Sequence, residues 1–497
     1  MGIVQNFPFF SIMLCMVSGV VTSVLKPRAA LMTTLFTIGS VLALSAGTLG
    51  MTLGLDEPYT FMMGHFPAPW GNEIRIGSLE ALMATGLSAV LFVSLLAGHA
   101  RLPSLVTLQK LNLYFIMMDL VMAATLVMIY TNDLFTAYVF IEIMTIASCA
   151  LIIVRQHGHT LVAATRYMVM NLLASGLVLL GISMLYGITG HLLMEPLNQS
   201  VREIYESGTY REVLTVVIAL ITISLGIKSA MFPFHAWAPD AYSFAPALSS
   251  SVLSGIISKA YLFLLIKFLW RVIGIDIIQS QQIGSFLFYC GIGGMLVASV
   301  IAISQRDIRR MIAYSSVAQV GYVYIGIGMG TLAGLTAALF QMLAHSAAKS
   351  LLFISTGELT RVSGDHKRFH YLHGAGHRDV LAGIVFTFSA MSMVGIPFTG
   401  GFISKLQIAL ASMPFGGSIR ALVLISLAIS TLLNAVYFLH TVVSIYRKAP
   451  DIEYPRNERI PRHAAVALVI SMLMTLYLGV GSGPIIRIIE AGIKMFA

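Results

Sequence analysis

The chain has little charge. Asp, Glu, Lys and Arg make up 10% of its 497 residues, against about 25% in ordinary soluble proteins. With 57% hydrophobic residues, that deficit excludes a water-exposed globular enzyme. Cysteine is scarce as well. Cys15, Cys149 and Cys290 lie in apolar stretches with no CxxC spacing and no Cys/His cluster, which excludes a disulfide framework, a zinc site or an iron–sulfur centre held by this chain. No phosphate-binding glycine loop, dinucleotide fingerprint, haem ligand set or nucleophile elbow occurs in a fitting context. The chain is therefore expected to hold no cofactor and to carry no redox or ATP engine of its own. The start, MGIVQNFPFF, has neither a basic n-region nor a cleavage site and is not expected to be a cleaved signal.

What is present is hydrocarbon in long continuous runs. Runs of about 20 apolar residues match the thickness of a bilayer as α-helices, and their continuity excludes a barrel of short alternating strands. The fold class is an all-α polytopic membrane protein. Fourteen spans are expected, near 3–24, 29–54, 78–98, 111–131, 134–154, 161–189, 212–233, 245–270, 283–303, 311–330, 332–357, 380–412, 418–446 and 463–488. The 28 methionines and 43 glycines suit close helix packing in lipid. Span seven runs into Met231-Phe232-Pro233, and span twelve contains Gly395, Pro397, Gly400 and Gly401; both are expected to be broken.

The loops set the orientation. Basic residues gather at Lys26 and Arg28, at Arg306, Arg309 and Arg310, at Arg361, Lys367, Arg368 and Arg378, and at Arg456, Arg459 and Arg462. The opposite side holds fewer: Arg75, Arg202, Arg211, Lys267, Arg271, Arg420, Arg487 and Lys494. The bias predicts both termini outside and explains the net charge of +9 as topology, without a nucleic-acid surface. Residues 190–211 read as an outside loop of mixed charge. Residues 360–379, with His366, His370, His373 and His377, read as a solvated inside loop in preference to a metal site.

Against this background a few ionisable residues stand inside the spans. A lysine at mid-bilayer costs roughly 2.5–3.5 kcal/mol on insertion scales, yet Lys228, Lys259, Lys349 and Lys405 are all there. Glu142 sits about 12 Å into its span, too deep to reach water, so it is expected to be neutral or paired, with Lys228 the natural partner. Breaking such a pair would ease proton release from the lysine; the competing reading is a static ion pair. His345 and Lys349 share a helix face at i and i+4, and an imidazole suits a proton relay. Ser251, Ser254 and Ser258 accompany Lys259 and read equally as a polar lining or as packing residues. Asp119, near the middle of span four, reads as a sodium or proton ligand or as the partner of a lysine. Paired interrupted spans holding Lys228 and Lys405 point to a transporter built of repeats.

The segments GIKSAMFPFHAWAPDAYSFAPALSSSVLSGIISKAYLF, RDIRRMIAYSSVAQVGY, HSAAKSLLF and GIPFTGGFISK resemble, in order, the motifs of the antiporter-like subunit family. That family is shared by Mrp sodium/proton antiporters, respiratory complex I and membrane-bound hydrogenases. The resemblance covers roughly residues 60–450, and GHFPAPWGNEIRIGSLEALMA is most similar to the D-type Mrp subunit or its hydrogenase relatives. It implies fourteen helices with two inverted five-helix repeats broken at helices seven and twelve. The expected division is residues 1–110 for the first three helices, 111–270 and 283–447 for the repeats, and 448–497 for an inside loop and the last helix. It also implies an ion path through Glu142, Lys228, Lys259, His345, Lys349 and Lys405. Expected partners are other membrane subunits, protons and sodium ions, and, if the complex is an oxidoreductase, hydrophilic iron–sulfur subunits. The expected location is a prokaryotic-type cell membrane. Gly77 stands where family members often carry Asp, and Asp119 falls outside the family pattern; both bear on which ion moves.

Overall fold

A computed structural model of the protein describes residues 3–63, 66, 71–448 and 460–496. The GHFPAPWG motif and Arg456 and Arg459 lie wholly or partly outside the described residues. The long helices are α1 (Phe7–Val24), α2 (Pro27–Thr52), α3 (Ser78–Gly98), α4 (Leu108–Tyr130), α5 (Leu134–Ile153), α6 (Gly158–Thr189), α7 (Arg211–Lys228), and a short α8 (Ala238–Phe244). They continue with α9 (Ala247–Ile273), α10 (Ile283–Ile303), α11 (Ile308–Gly328), α12 (Leu332–Arg361), α13 (Val380–Val394), α14 (Gly400–Ser412), α15 (Gly417–Tyr446), α16 (Arg462–Val480) and α17 (Ser482–Lys494). Among the described residues, eleven helices are long and apolar enough to cross a membrane. The three other expected spans are helical too, but α7 carries three charged residues, α11 is rich in polar side chains, and span twelve is divided between α13 and α14.

The breaks fall where backbone chemistry demands them. After Lys228 the chain leaves the helix at Ser229–Phe234 and restarts before α8. Between α13 and α14, Gly395 takes φ +92°, a conformation that favours glycine because a Cβ would crowd the backbone. The expected span fourteen also breaks. It stops at Val480, and beyond Gly481 α17 lies on the body of the protein through Ile485, Ile489 and Ile493. Gly492 is pressed so closely on α3 that an added Cβ would sit 2.7 Å from that of Leu79.

Two departures from the expected pattern lie between the spans. Strands β1 (Tyr59–Met62) and β2 (Glu73–Ile76) pair antiparallel, Tyr59 opposite Ile76; the alternation of Glu73-Ile74-Arg75-Ile76, with both isoleucines buried, carries that period of two. The expected loop at 190–211 contains a helix, Met194–Ser207, which buries Met194, Leu197 and Val201. That spacing of three and four is the apolar stripe of a surface helix.

Helices α9 and α12 are buried on all sides, whereas α1, α2 and α6 turn much of their surface outward. Small residues make the inner contacts possible. An added Cβ at Gly291 would lie 2.7 Å from the carbonyl of Gly321, and one at Gly321 would lie 2.6 Å from that of Gly291, so α10 and α11 touch backbone to backbone. The buried pair α9 and α12 forms the axis on which the ionisable residues are arranged.

Candidate functional site

Lys228 is the last residue of α7 and is buried. Its Nζ donates to Thr145 Oγ1 at 3.0 Å, to the Asn171 carbonyl at 3.0 Å and to Ser175 Oγ at 2.8 Å, and it lies 5.5 Å from the centre of the Tyr261 ring. All of these partners are neutral. The expected contact with Glu142 is not made: no ion pair joins the two among the described residues. Glu142 sits one turn before Thr145 on α5, half-buried, with Oε1 unpartnered. The pair is therefore apart in this structure, with Lys228 held by hydroxyls and a carbonyl.

Lys259 is fully buried in α9. The helix there takes a π-helical turn at Leu253–Ile257, a feature the sequence did not announce. Just beyond it, Nζ donates to the Ser254 carbonyl at 2.5 Å and to Ser258 Oγ at 3.2 Å, and meets His345 Nδ1 at 2.6 Å. That last contact joins α9 to α12, nitrogen to nitrogen, within hydrogen-bonding distance. The far nitrogen of His345, Nε2, is buried without a partner. One turn on, Lys349 donates to the Ile312 carbonyl at 3.0 Å and to Ser315 Oγ. Ser251 and Ser254 hydrogen-bond to Ser94 of α3 and Ser316 of α11, so these two hydroxyls link neighbouring helices.

Lys405 lies in the first turns of α14 and reaches back across the break. Its Nζ donates to the Val394 carbonyl at 2.6 Å and to Thr431 Oγ1 at 3.1 Å. Val394 is the last residue of α13, so the ammonium sits at the negative end of that helix dipole. The structure thus brings Lys259, His345 and Lys349 into one cluster, with Lys228 and Lys405 seated on either flank. Asp119 stands apart. Buried in α4, it accepts from Ser18 of α1 at 2.7 Å and Thr34 of α2 at 3.1 Å, and it pairs with no lysine.

Four residues were missed by the sequence. Lys267 and Arg271, expected as outside charges, are buried. Lys267 donates to the carbonyls of Met128, Ile129 and Thr131 at the end of α4. Arg271 pairs with buried Glu80 at 3.5 Å and donates to Asn132 Oδ1 at 2.5 Å. Lys267 comes eight residues after Lys259 in one apolar run, and that spacing was the available signal. The loop histidines engage aromatic and backbone groups: His366 stacks on Tyr371 with ring centres 4.3 Å apart, and His377 Nε2 lies 3.1 Å from the Tyr446 carbonyl.

Comparison with known proteins agrees with this architecture. The model of the NADH:quinone oxidoreductase/Mrp antiporter transmembrane family matches residues 131–443, the stretch that carries every lysine of the row. The chain is 34% identical over 453 residues to the N-type subunit of the NADH-quinone oxidoreductase of Desulforudis audaxviator, covering 89% of this chain and 87% of that one. It is 24% identical over 483 residues to the D-type subunit of the Na(+)/H(+) antiporter of Bacillus subtilis, covering 96% and 94%. A chain in the structure of the membrane-bound sulfane sulfur reductase, an archaeal respiratory membrane complex, superposes with a TM-score of 0.87 at 27% identity, covering 98% of this chain and 97% of that one. The chain belongs to the NADH:quinone oxidoreductase/Mrp antiporter transmembrane family.

Proposed function

We propose that this chain is the ion-translocating subunit of a larger membrane complex, working as the D-type subunit of a sodium/proton antiporter. Protons pass along Glu142, Lys228, Lys259, His345, Lys349 and Lys405. The observation that carries this reading is the 2.6 Å contact between Lys259 and His345. A proton on the Lys259 ammonium crosses it to Nδ1, and the imidazole can release its other proton from Nε2. Within the row, among the described residues, only Lys259 and His345 are directly bonded; the Glu142–Lys228, Lys228–Lys259, His345–Lys349 and Lys349–Lys405 intervals need water to complete the row. Gating follows from Lys228: when Glu142 swings to the ammonium, the charge is retained, and when it leaves, Lys228 passes its proton on. In this reading the protein has fourteen transits in two inverted five-helix repeats, 111–270 and 283–447, both termini outside, in a prokaryotic-type cell membrane. Lys228→Ala is expected to assemble and to stop ion movement; normal transport by an assembled variant refutes the path.

A second reading rests on the 34% identical relative, named as a subunit of an oxidoreductase, and on the respiratory complex among the structural matches. Here the same row is the pumping module of a redox-driven complex with iron–sulfur subunits. Isolating the native complex through a tag on this chain separates the two. Stoichiometric iron and its visible absorbance favour the redox pump. A colourless assembly of membrane subunits favours the antiporter.

A further inference from the structure

A second carboxylate lies buried away from the lysine row. Asp119 is fully inaccessible in α4, and its Oδ2 accepts two hydroxyls from two other helices, Ser18 Oγ at 2.7 Å and Thr34 Oγ1 at 3.1 Å. Its Oδ1 is buried and has no partner. One turn along α1 from Ser18, the hydroxyl oxygen of Thr22 is likewise buried and unpartnered, and Thr37 is buried one turn along α2 from Thr34. Three helices thus converge on one acidic group, and two of them each bring a hydroxyl to it.

The charge around it is as telling as the oxygen. No Lys, Arg or His pairs with Asp119 among the described ion pairs. From α1 the titratable neighbour is the buried Cys15 thiol; α2 presents hydroxyls only, and no charged group of α3, α5 or α9 acts on the carboxyl. A carboxylate this deep in an apolar protein needs one positive charge to be stable. No cation among the described residues supplies it, so it comes from solution. Two small cations fit an all-oxygen shell. A proton can sit on Oδ1 while the hydroxyls donate to Oδ2. A sodium ion can be held by both carboxylate oxygens if the Ser18 and Thr34 hydroxyls rotate and turn lone pairs inward, since a hydroxyl both donates and accepts. Hard cations of this kind prefer oxygen ligands. The site carries the same net charge with either occupant, and one replaces the other by simple exchange: the O–H bond breaks, the proton leaves to water, and sodium takes its place.

We propose that Asp119, Ser18 and Thr34 form a peripheral binding site at which sodium and a proton exchange, separate from the lysine row. The α1–α2 turn is the nearer entrance: Ser18 and Thr34 each lie about 10 Å from it along their helices, at 1.5 Å per residue. The site does not depend on the path proposed above, and it belongs to helices outside the stretch matched by the family model.

The test uses the intact complex and dicyclohexylcarbodiimide, which adds to a protonated buried carboxyl, with modification of Asp119 followed by mass spectrometry of the peptide. Labelling is expected in choline chloride and is expected to fall at least tenfold in sodium chloride, with less sodium needed as pH rises because protons compete. Ser18→Ala/Thr34→Val keeps the carboxyl but removes two ligands, and is expected to raise the sodium concentration that protects by about tenfold. Lys228→Ala is expected to leave labelling and protection unchanged even where transport is lost, which keeps failure of the path distinct from failure of this site. Labelling that sodium does not reduce, or no labelling of Asp119 at any pH, overturns the proposal.

Discussion

The two flanking lysines occupy seats built in different ways. Lys228 is the terminal residue of its half-helix, and the neighbours that hold it are two hydroxyls and one carbonyl from α5 and α6. Lys405 belongs to the second half of its broken helix and folds back onto the Val394 carbonyl that the first half leaves open. One seat is made by side chains of other helices, the other mainly by the exposed backbone of the same broken span. Lys405 places its ammonium where a helix ends and carbonyls lack amide partners, whereas Lys228 takes its carbonyl from the interior of α6. The helix-end device recurs at Lys267, on the end of α4, while Lys349 takes the Ile312 carbonyl from within α11. Within this protein the buried lysines are stabilised chiefly by oxygen dipoles. That leaves each ammonium held without a fixed counter-ion, which suits a group that must give up its proton.

The difference between the seats can be broken by substitution. The largest effect is expected at the first. Thr145→Val/Ser175→Ala removes two of three acceptors, each bond to a charged group being worth about 1.5–3 kcal/mol, so ion movement should fall on the order of 100-fold. Thr431→Val at the second seat leaves the Val394 carbonyl and should cost a few-fold, about 1 kcal/mol. Equal losses in vesicle transport assays would erase the distinction. Next comes Gly395→Ala, which strains a backbone at φ +92° and places a Cβ 3.1 Å from Lys405 Cδ and 3.3 Å from its Nζ. It should lower stability by about 1–3 kcal/mol, seen as a lower melting temperature in detergent, and slow transport through the second seat while leaving the Lys259–His345 contact intact.

The smallest effect tests the carbonyl seat outside the membrane. Lys367, in the loop at 360–379, donates to the Ser243 carbonyl at 2.6 Å. Burial, assisted by the nearby Arg309 guanidinium, draws its ammonium down to about 7. Unfolded lysine titrates near ~10.4 and so binds a proton that the folded one has released between those values. Stability should therefore rise with pH from about 7 upward and lose this contribution as pH falls through 7. Lys367→Met should flatten that slope in melts taken between pH 7 and 10; an unchanged slope would show that the loop seat does not work by desolvation.

The sequence made the membrane architecture legible because hydrocarbon length is a one-dimensional property: twenty apolar residues span a bilayer wherever they fall in the chain. Breaks at Pro233 and Gly395 were legible for the same local reason. Partners across helices were not. Glu142 and Lys228 attract one another in any reading of charge alone, yet hydroxyls of Thr145 and Ser175 reach the ammonium first, and such oxygens carry no distinctive mark in a sequence. Lys267 and Arg271 were placed outside because they stand near the end of a hydrophobic run, where a long side chain can snorkel to water. Their burial depends on α3 and the end of α4 covering them, a fact of packing. The outer helix at Met194–Ser207 was hidden by its charges, although its apolar stripe was present.

The π-helical turn ahead of Lys259 has a further consequence, which concerns phase. A wider turn accommodates an extra residue without breaking the rod, but every side chain beyond it is rotated by about 100° relative to those before. Residues 247–252 and residues 258–267 therefore answer to different angular references within one continuous helix, and the lysine faces α12 only because of that offset. A single-residue deletion within 253–257 would relax the turn to an ordinary α-helix and leave Lys259 facing His345, whereas a deletion elsewhere in the regular helix before the lysine would rotate it away by about 100°. Mutational scans that only exchange side chains are blind to this coordinate; scanning by deletion would reveal it.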